Sequence, residues 1–455
     1  MKPFVIECVS VLQLFLCVCA VAAHQSPRAS FAIVPEQPLM DERLSIVVSG
    51  LPTNQLITLR AKSRAQDQLW WRSEAVFNSG PKGTIDLNTE APASGTYKNA
   101  DGMGLFWSMK PDAEPKSADH AFFAITDWFQ FIVTEIEADD AGHVLGSAVI
   151  RRRFAKPGIH CGTIAGTAVH GFLCDPGDHH RHPGVMVLGG SEGGQGLPDV
   201  AILLASRGFT TLSLAYFGAD GLPPTLQNIP IEYLGKALEW LHARPETEPG
   251  FTGVFGASRG AEVALQFAAT YPDVNAVVAR SPTNVRWEGI TKRRLPGGSA
   301  WTYRGQPLPY IPNRIPFWFV AQYMWDSIVG DPVKQTPLFI HDLEVFGDTS
   351  SVEIPAEHIH GPVLLLSGND DQIWPSSLMA TRLMERLRRY GHLYPDDHLF
   401  YDNAGHWIPV EYLPTAGDRR KIRLTIGGTP EGSALAQADS WPKVLRFLAA
   451  SAHQE

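Results

Sequence analysis

Two rhythms of apolar residues divide this chain. Up to about residue 155 the apolar positions come in short stretches broken by turns. Leu44-Ser45-Ile46-Val47-Val48 is one; Leu56-Ile57-Thr58-Leu59-Arg60-Ala61 and Phe129-Gln130-Phe131-Ile132-Val133-Thr134-Glu135-Ile136 alternate apolar with polar. Pro52, Asn78-Ser79-Gly80, Gly83, Gly95 and Asp101-Gly102 punctuate them. Alternation of this kind puts one face of each strand in a core and the other in water. Many such strands with frequent turns predict an antiparallel, immunoglobulin-like β-sandwich over residues 28–155.

After about residue 158 the strands become continuous apolar runs separated by helical patterns. Gly184–Leu188, Thr210–Ala215, Gly253–Gly256, Val274–Ala279 and Val363–Ser367 read as strands. Ala201–Gly208, Ile231–Ala243 and Arg259–Thr270 read as helices. A strand apolar on both faces has to be covered on both. This predicts a mostly parallel sheet with helices on each side over residues 158–452, with its chemistry beyond the carboxyl ends of the strands. A stretch at about 284–350, rich in Pro, Gly, Trp, Tyr and Arg, interrupts the rhythm and is expected to be a lid-like excursion.

The start of the chain follows a third pattern. Lys2 precedes an apolar run from Val9 to Val21, closed by Ala22-Ala23. This is the layout of a secretory signal peptide over residues 1–23, and it predicts export to a periplasmic or extracellular space. No later segment is apolar enough for a bilayer span. Cys8, Cys17 and Cys19 leave with the leader, so the exported chain keeps Cys161 and Cys174. A hairpin turning near Gly166 would set these two opposite each other, where a disulfide can form; two free thiols are the alternative. A formal net charge of −9 excludes the basic footprint of a nucleic-acid binder. No cofactor or metal motif is evident: His179-His180-Arg181-His182 reads as a solvated loop, and Gly189–Gly194 lacks the Lys-Ser/Thr ending of a phosphate-binding loop.

The chemistry centres on Gly256-Ala257-Ser258-Arg259-Gly260, which follows an apolar strand and opens a helix. In that context the pentapeptide is a nucleophile elbow: a turn so tight that small residues are needed two positions either side of the serine. It points to a serine hydrolase of the α/β-hydrolase class. A serine hydroxyl needs a base to take its proton, and in this fold acid and histidine follow the serine in that order. His406 lies in a loop just after the short strand Leu399–Tyr401, whereas His398, His358 and His360 precede strands. The acid is expected just past Val363–Ser367, where Asp370 and Asp371 both qualify and whichever is not the acid would be free to cap the following helix. The oxyanion donors are expected from the backbone of Arg259 and from Gly190 and Ser191 in the glycine loop.

These motifs resemble the family of acyl-coenzyme A thioesterases and bile acid-CoA:amino acid N-acyltransferase. The similar stretches are Gly102–Met109, Leu214–Phe217, Leu222-Pro223, Ile231–Tyr233, Gly256–Glu262, Ser367–Trp374, Gly405-His406, Gly427–Pro430 and Ala436–Trp441, in the same order. The resemblance implies a Ser258, Asp371, His406 triad, a β-sandwich fused to the hydrolase domain, and acyl-CoA or a related thioester as substrate. It also implies hydrolysis, because the thioesterases carry serine at the elbow and the conjugating transferase carries cysteine. A secreted carboxylic-ester or lactone hydrolase with the same triad is the alternative; an N-acyltransferase or a non-catalytic binding protein ranks lower. Lys292, Arg293, Arg294 and Arg304 are either contacts for CoA phosphates or a solvated basic loop.

Overall fold

The computed structural model describes residues 29–112, 122–291, 296–416 and 424–453. The leader expected at 1–23, with its three cysteines, and Lys292, Arg293 and Arg294 lie outside these residues.

The first part is built from β1 (Ser30–Val34), β2 (Ser45–Ser49), β3 (Leu56–Arg64), β4 (Trp70–Asn78), β5 (Ile85–Asp86), β6 (Ser94–Gly95), β7 (Ile132–Asp140) and β8 (His143–Arg152). One sheet runs β1–β2–β5 and the other β6–β4–β3–β7–β8. In β3, Ile57, Leu59, Ala61 and Ser63 are buried while their neighbours face outward, so the alternation in sequence is the alternation of the pleat. The strand expected from Phe129 begins three residues later. Asp127 Oδ1 accepts the Phe129 N–H at 2.9 Å, and this side-chain turn bends the backbone out of the ladder.

The second part is one eight-stranded sheet. Its strands are β9 (His160–Thr163), β10 (His170–Asp175), β11 (His182–Leu188), β12 (Thr210–Ala215), β13 (Thr247–Ala257), β14 (Ala276–Arg280), β15 (Val363–Gly368) and β16 (Asp397–Tyr401). They lie in the order β9–β10–β12–β11–β13–β14–β15–β16. β11 to β16 are parallel, and an antiparallel hairpin closes the β9–β10 edge. Helices α1 (Pro198–Ala205), α2 (Ile231–His242) and α3 (Arg259–Ala268) cover the first half. This is the expected α/β-hydrolase architecture. Val185–Leu188 and Val277–Ala279 are wholly buried, as strands covered on both faces must be.

Between β14 and β15 lies the excursion. It contains short strand pairs followed by α4 (Phe317–Val329) and α5 (Thr336–Phe346). After β15 come α6 (Ser376–Arg389) and the closing α7 (Pro430–Ala452). The two parts share a core: Trp71, Phe77 and Phe106 belong to the same apolar cluster as Val187, Phe255, Trp441 and Leu448. Half-buried polar ties cross the same boundary. Arg207 grips Asp41 through two nitrogens at 2.6 and 3.0 Å, and Trp441 Nε1 donates to Asp41 at 2.8 Å.

The hairpin β9–β10 pairs Cys161 directly with Cys174, and the two are joined by a disulfide. Of the histidine run, His182 opens β11 and bonds Asp178 at 2.8 Å instead of lying in the solvated loop, because its backbone is taken into the ladder.

Candidate active site

β13 delivers Ser258 to the end of the sheet. The serine has φ 56° and ψ −122°, a conformation that costs a non-glycine residue about 1–3 kcal/mol. Ladder bonds on one side and helix bonds on the other hold it there. The Ser258 N–H donates to Arg280 O at 2.9 Å, and Ser258 O accepts from Ala261 and Glu262 N–H at 2.9 and 3.1 Å. The flanking glycines are required by contact. A Cβ on Gly256 would lie 2.3 Å from Gly260 O, and one on Gly260 would lie 2.2 Å from Leu188 O. With the turn closed in this way, the Ser258 side chain projects clear of strand and helix.

His406 reaches Ser258 from the loop after β16. Its Nε2 lies 2.9 Å from Ser258 Oγ and its Nδ1 lies 2.8 Å from Asp371 Oδ2. The loop is fixed by the His406 N–H on Ile426 O at 2.7 Å and by Ser281 Oγ on His406 O. Asp371, nearly wholly buried, uses its other oxygen to accept the N–H groups of Ile373 and Trp374 at 2.9 and 3.2 Å. Its backbone oxygen accepts from Thr336 Oγ1 at 2.6 Å, so α5 of the excursion is tied to the acid loop. The Trp374 ring meets the imidazole edge-on at 5.8 Å between centroids.

Asp370 takes a different place. It accepts from Gln372 Nε2 at 2.5 Å and from Gly428 N–H at 2.8 Å, tying the acid loop to the loop before α7. It does not cap α6, whose N-cap is Pro375. His398 lies inside β16, not before it, and bonds Ser367 Oγ at 2.8 Å. Burial lowers its pKa below the ordinary histidine value. His358 and His360 are exposed ahead of β15.

The glycine loop departs from expectation. Gly190 adjoins Ser258, since a Cβ there would lie 3.1 Å from Ser258 Cβ. Yet its N–H is not open to a substrate oxygen: Glu192 Oε1, two residues on, accepts it at 2.7 Å. Burial pushes the Glu192 carboxyl above its ordinary pKa. Ser191 is exposed on the loop. Tyr216, buried beneath, donates its hydroxyl to Gly189 O at 2.5 Å. Arg259 is the first residue of α3, where a backbone N–H has no acceptor within the helix. Its guanidinium points away, to Glu262 at 3.3 Å and Trp287 O at 3.1 Å. Glu192, Trp374 and Ser281 were not visible as site residues in the sequence, because each acts through a contact that only the fold creates.

A hydroxyl, an imidazole and a buried carboxylate in this order can move a proton off the hydroxyl and stabilise the resulting imidazolium. Residues 41–165 match the model of the acyl-CoA thioester hydrolase/BAAT N-terminal region, and residues 229–454 the BAAT/acyl-CoA thioester hydrolase C-terminal model. The chain is 29% identical over 423 residues to acyl-coenzyme A thioesterase 1 of Rattus norvegicus, covering 90% of this chain and 93% of that protein. It is 28% identical over 429 residues to the mitochondrial acyl-coenzyme A thioesterase 2 of Mus musculus, covering 92% and 89%. Against acyl-coenzyme A thioesterase 1 of Homo sapiens it is 28% identical over 419 residues, covering 90% and 93%. A provisionally named dienelactone hydrolase from Klebsiella pneumoniae aligns at TM-score 0.41 with 15% identity, over 64% of this chain and 98% of that one.

Proposed function

Because the chain belongs to the acyl-CoA thioester hydrolase/BAAT family, we propose that it hydrolyses acyl-CoA, or a closely related acyl thioester, through an acyl-enzyme on Ser258. The observation that carries this reading is the chain of two hydrogen bonds, 2.9 and 2.8 Å, from Ser258 through His406 to Asp371.

In the acylation step His406 Nε2 takes the Ser258 proton as Oγ bonds to the thioester carbonyl carbon. The carbonyl oxygen becomes an oxyanion beside the N-terminus of α3, where the Arg259 N–H and the helix dipole favour negative charge. Collapse breaks the carbon–sulfur bond, and the leaving thiolate takes the proton from the imidazolium. Water then enters, gives a proton to His406 and attacks the acyl carbon. Collapse returns that proton to Ser258 and frees the acid. Asp371 stays ionised throughout, holding one imidazole tautomer and stabilising its cation. Serine at the elbow, where the conjugating enzymes carry cysteine, favours water over an amine as the second nucleophile.

The same reading takes residues 1–23 as a cleaved leader, 28–155 as the sandwich domain and 158–452 as the catalytic domain with its excursion. It places the protein in a periplasmic or extracellular space. The Cys161–Cys174 disulfide supports export, since such bonds persist in oxidising compartments. That bond also favours the second reading, a secreted carboxylic-ester or lactone hydrolase, because CoA belongs chiefly to the cytoplasm.

Turnover of palmitoyl-CoA and of p-nitrophenyl palmitate by the purified protein separates the two readings. A higher kcat/KM for the thioester is expected; a higher value for the oxygen ester would favour the second reading. Ser258→Ala should lower turnover of either by roughly 10³ or more. Retained turnover would remove Ser258 from the mechanism.

A further inference from the structure

Helix α4 is oriented against the usual rule for a surface helix. A helix on a protein normally turns its apolar stripe to the core and its polar side to water. Here the residues facing inward are Phe319, Tyr323 and Asp326. Phe319 and Tyr323 rest on Val333 and Leu338, a cluster of only a few side chains. The one acid of the helix, Asp326, is buried and accepts from Gln322 Nε2 at 2.6 Å. The outward side carries the large apolar groups: Phe317 is 86% exposed, Ile328 76%, Trp325 62% and Met324 60%. At about 100° per residue these four, with Trp318 and Val329, fall in one arc that holds no charge. Scattered exposed apolar residues are ordinary on a soluble protein, but a contiguous face of this size marks a surface that something covers.

Charge and shape point to what covers it. Between Ile315 and Gly330 the only acid is the inward-turned Asp326. Exposed cations stand beyond each end of the helix, Arg314 before it and Lys334 after it, with Asp331 the one exposed acid between the helix and Lys334. An uncharged apolar arc with two tryptophans and flanking cations complements an anionic lipid surface: chains beneath, headgroups alongside. The 13 residues span about 20 Å, short of the ~30 Å needed to cross a bilayer, so the helix would lie in the plane of the interface. The neighbouring α5 is bonded through Thr336 Oγ1 to Asp371 O, which ties the excursion that carries this face to the acid loop of the candidate active site.

We propose that the outward face of α4 is an interfacial docking surface for an anionic lipid layer, bringing the site to substrates whose acyl chains lie in that layer. The proposal holds for either acyl carrier considered above.

Flotation of the full exported chain with vesicles of phosphatidylcholine, alone or mixed with phosphatidylglycerol, tests it. The protein should float with the vesicles, more strongly when phosphatidylglycerol is present. Phe317→Glu/Ile328→Glu should lower the bound fraction roughly tenfold or more, while hydrolysis of soluble p-nitrophenyl butyrate stays unchanged. Ile328→Ser, a milder change, keeps the comparison open if the double variant loses ester turnover. Protein that stays in the soluble fraction, or a folded variant that floats like the parent, would overturn the proposal. Equal binding to both vesicle types would overturn the anionic assignment. A dimer in light scattering that the substitutions break would assign the face to a second copy of the chain instead. Because ester turnover is read separately, failure of docking stays distinct from failure of the Ser258 mechanism.

Discussion

Asp371 Oδ2 lies 2.8 Å from His406 Nδ1, while Asp371 Oδ1 is held by the N–H groups of Ile373 and Trp374. One oxygen is thus anchored by backbone and the other is left to face the imidazole. Asp371→Asn keeps the shape and removes the charge, so kcat should fall roughly 10³–10⁴-fold with little change in KM. The adjacent Asp370 carboxylate ties two loops together, bonding Gln372 and the Gly428 N–H and not the His406 ring. Asp370→Asn should cost less than about tenfold. Steady-state kinetics of the two variants, measured side by side, test the assignment; equal losses would defeat it.

Gly260→Ala asks whether the elbow needs its tight contact. The added Cβ would sit 2.2 and 2.3 Å from the backbone oxygens of Leu188 and Gly189. Backbone cannot yield as a flexible side chain can, so α3 must move away from β11. A destabilisation of about 2 kcal/mol or more is expected, together with loss of activity as Ser258 leaves the reach of His406. Thermal unfolding and turnover on the same sample check both. Unchanged behaviour in both would show that the contact is dispensable.

Glu411 makes stability depend on pH. Burial pushes its carboxyl up to about 8; the nearby Asp199 adds to the rise and Arg280 partly offsets it. Between the ordinary value of 4.5 and about 8 the folded chain keeps a proton that the unfolded chain releases. Stability therefore falls as pH rises through that window and levels off above it. Each tenfold change in proton affinity corresponds to roughly 1.4 kcal/mol. Glu411→Gln, neutral at every pH, should flatten this slope. The variant should be more stable than the parent at pH 9, with the difference shrinking toward pH 5. Melting temperature against pH for both proteins is the measurement, and parallel curves would contradict the account.

Cys161 and Cys174 close a loop at the β9–β10 edge with a sequence separation of 13. Cross-linking a loop of that length removes unfolded-state freedom worth about 2–3 kcal/mol. Cys161→Ser/Cys174→Ser should lower the melting temperature by several degrees, and a reductant should lower that of the parent but not of the variant. The hairpin is remote from Ser258 in the sheet order, so turnover at low temperature should be kept.

Much of the fold is legible because the signals are local. The alternation in Leu56–Ala61 and the continuous run in Gly253–Gly256 each encode how many faces of a strand are covered. The elbow is legible for the same reason: strand, small residues around Ser258 and helix are contiguous. His406 could be reached by chain order. Asp370 and Asp371 could not be separated by spacing, since what distinguishes them comes from far along the chain. Asp370 meets Gly428, and Asp371 meets the imidazole of His406. The Glu192 carboxylate on the Gly190 N–H escaped notice because a glycine-rich loop admits many conformations and only packing selects one.

Helix α4 shows the limit from the other side. Phe317–Val329 has apolar side chains on both its buried and its exposed sides, so its composition does not say which side faces the core. The sequence by itself determined most of the elements and the strand–turn–helix setting of Ser258, because short-range sterics and burial periodicity act within a few residues. Tertiary structure alone decided which carboxylate oxygen meets His406, which backbone N–H beside Ser258 is already taken, and that an uncharged aromatic face is turned to the outside. Asp371 and His406 meet from 35 residues apart, and the Glu192 carboxylate turns back onto Gly190 only in the packed loop, so both depend on the assembled fold and no local pattern encodes them.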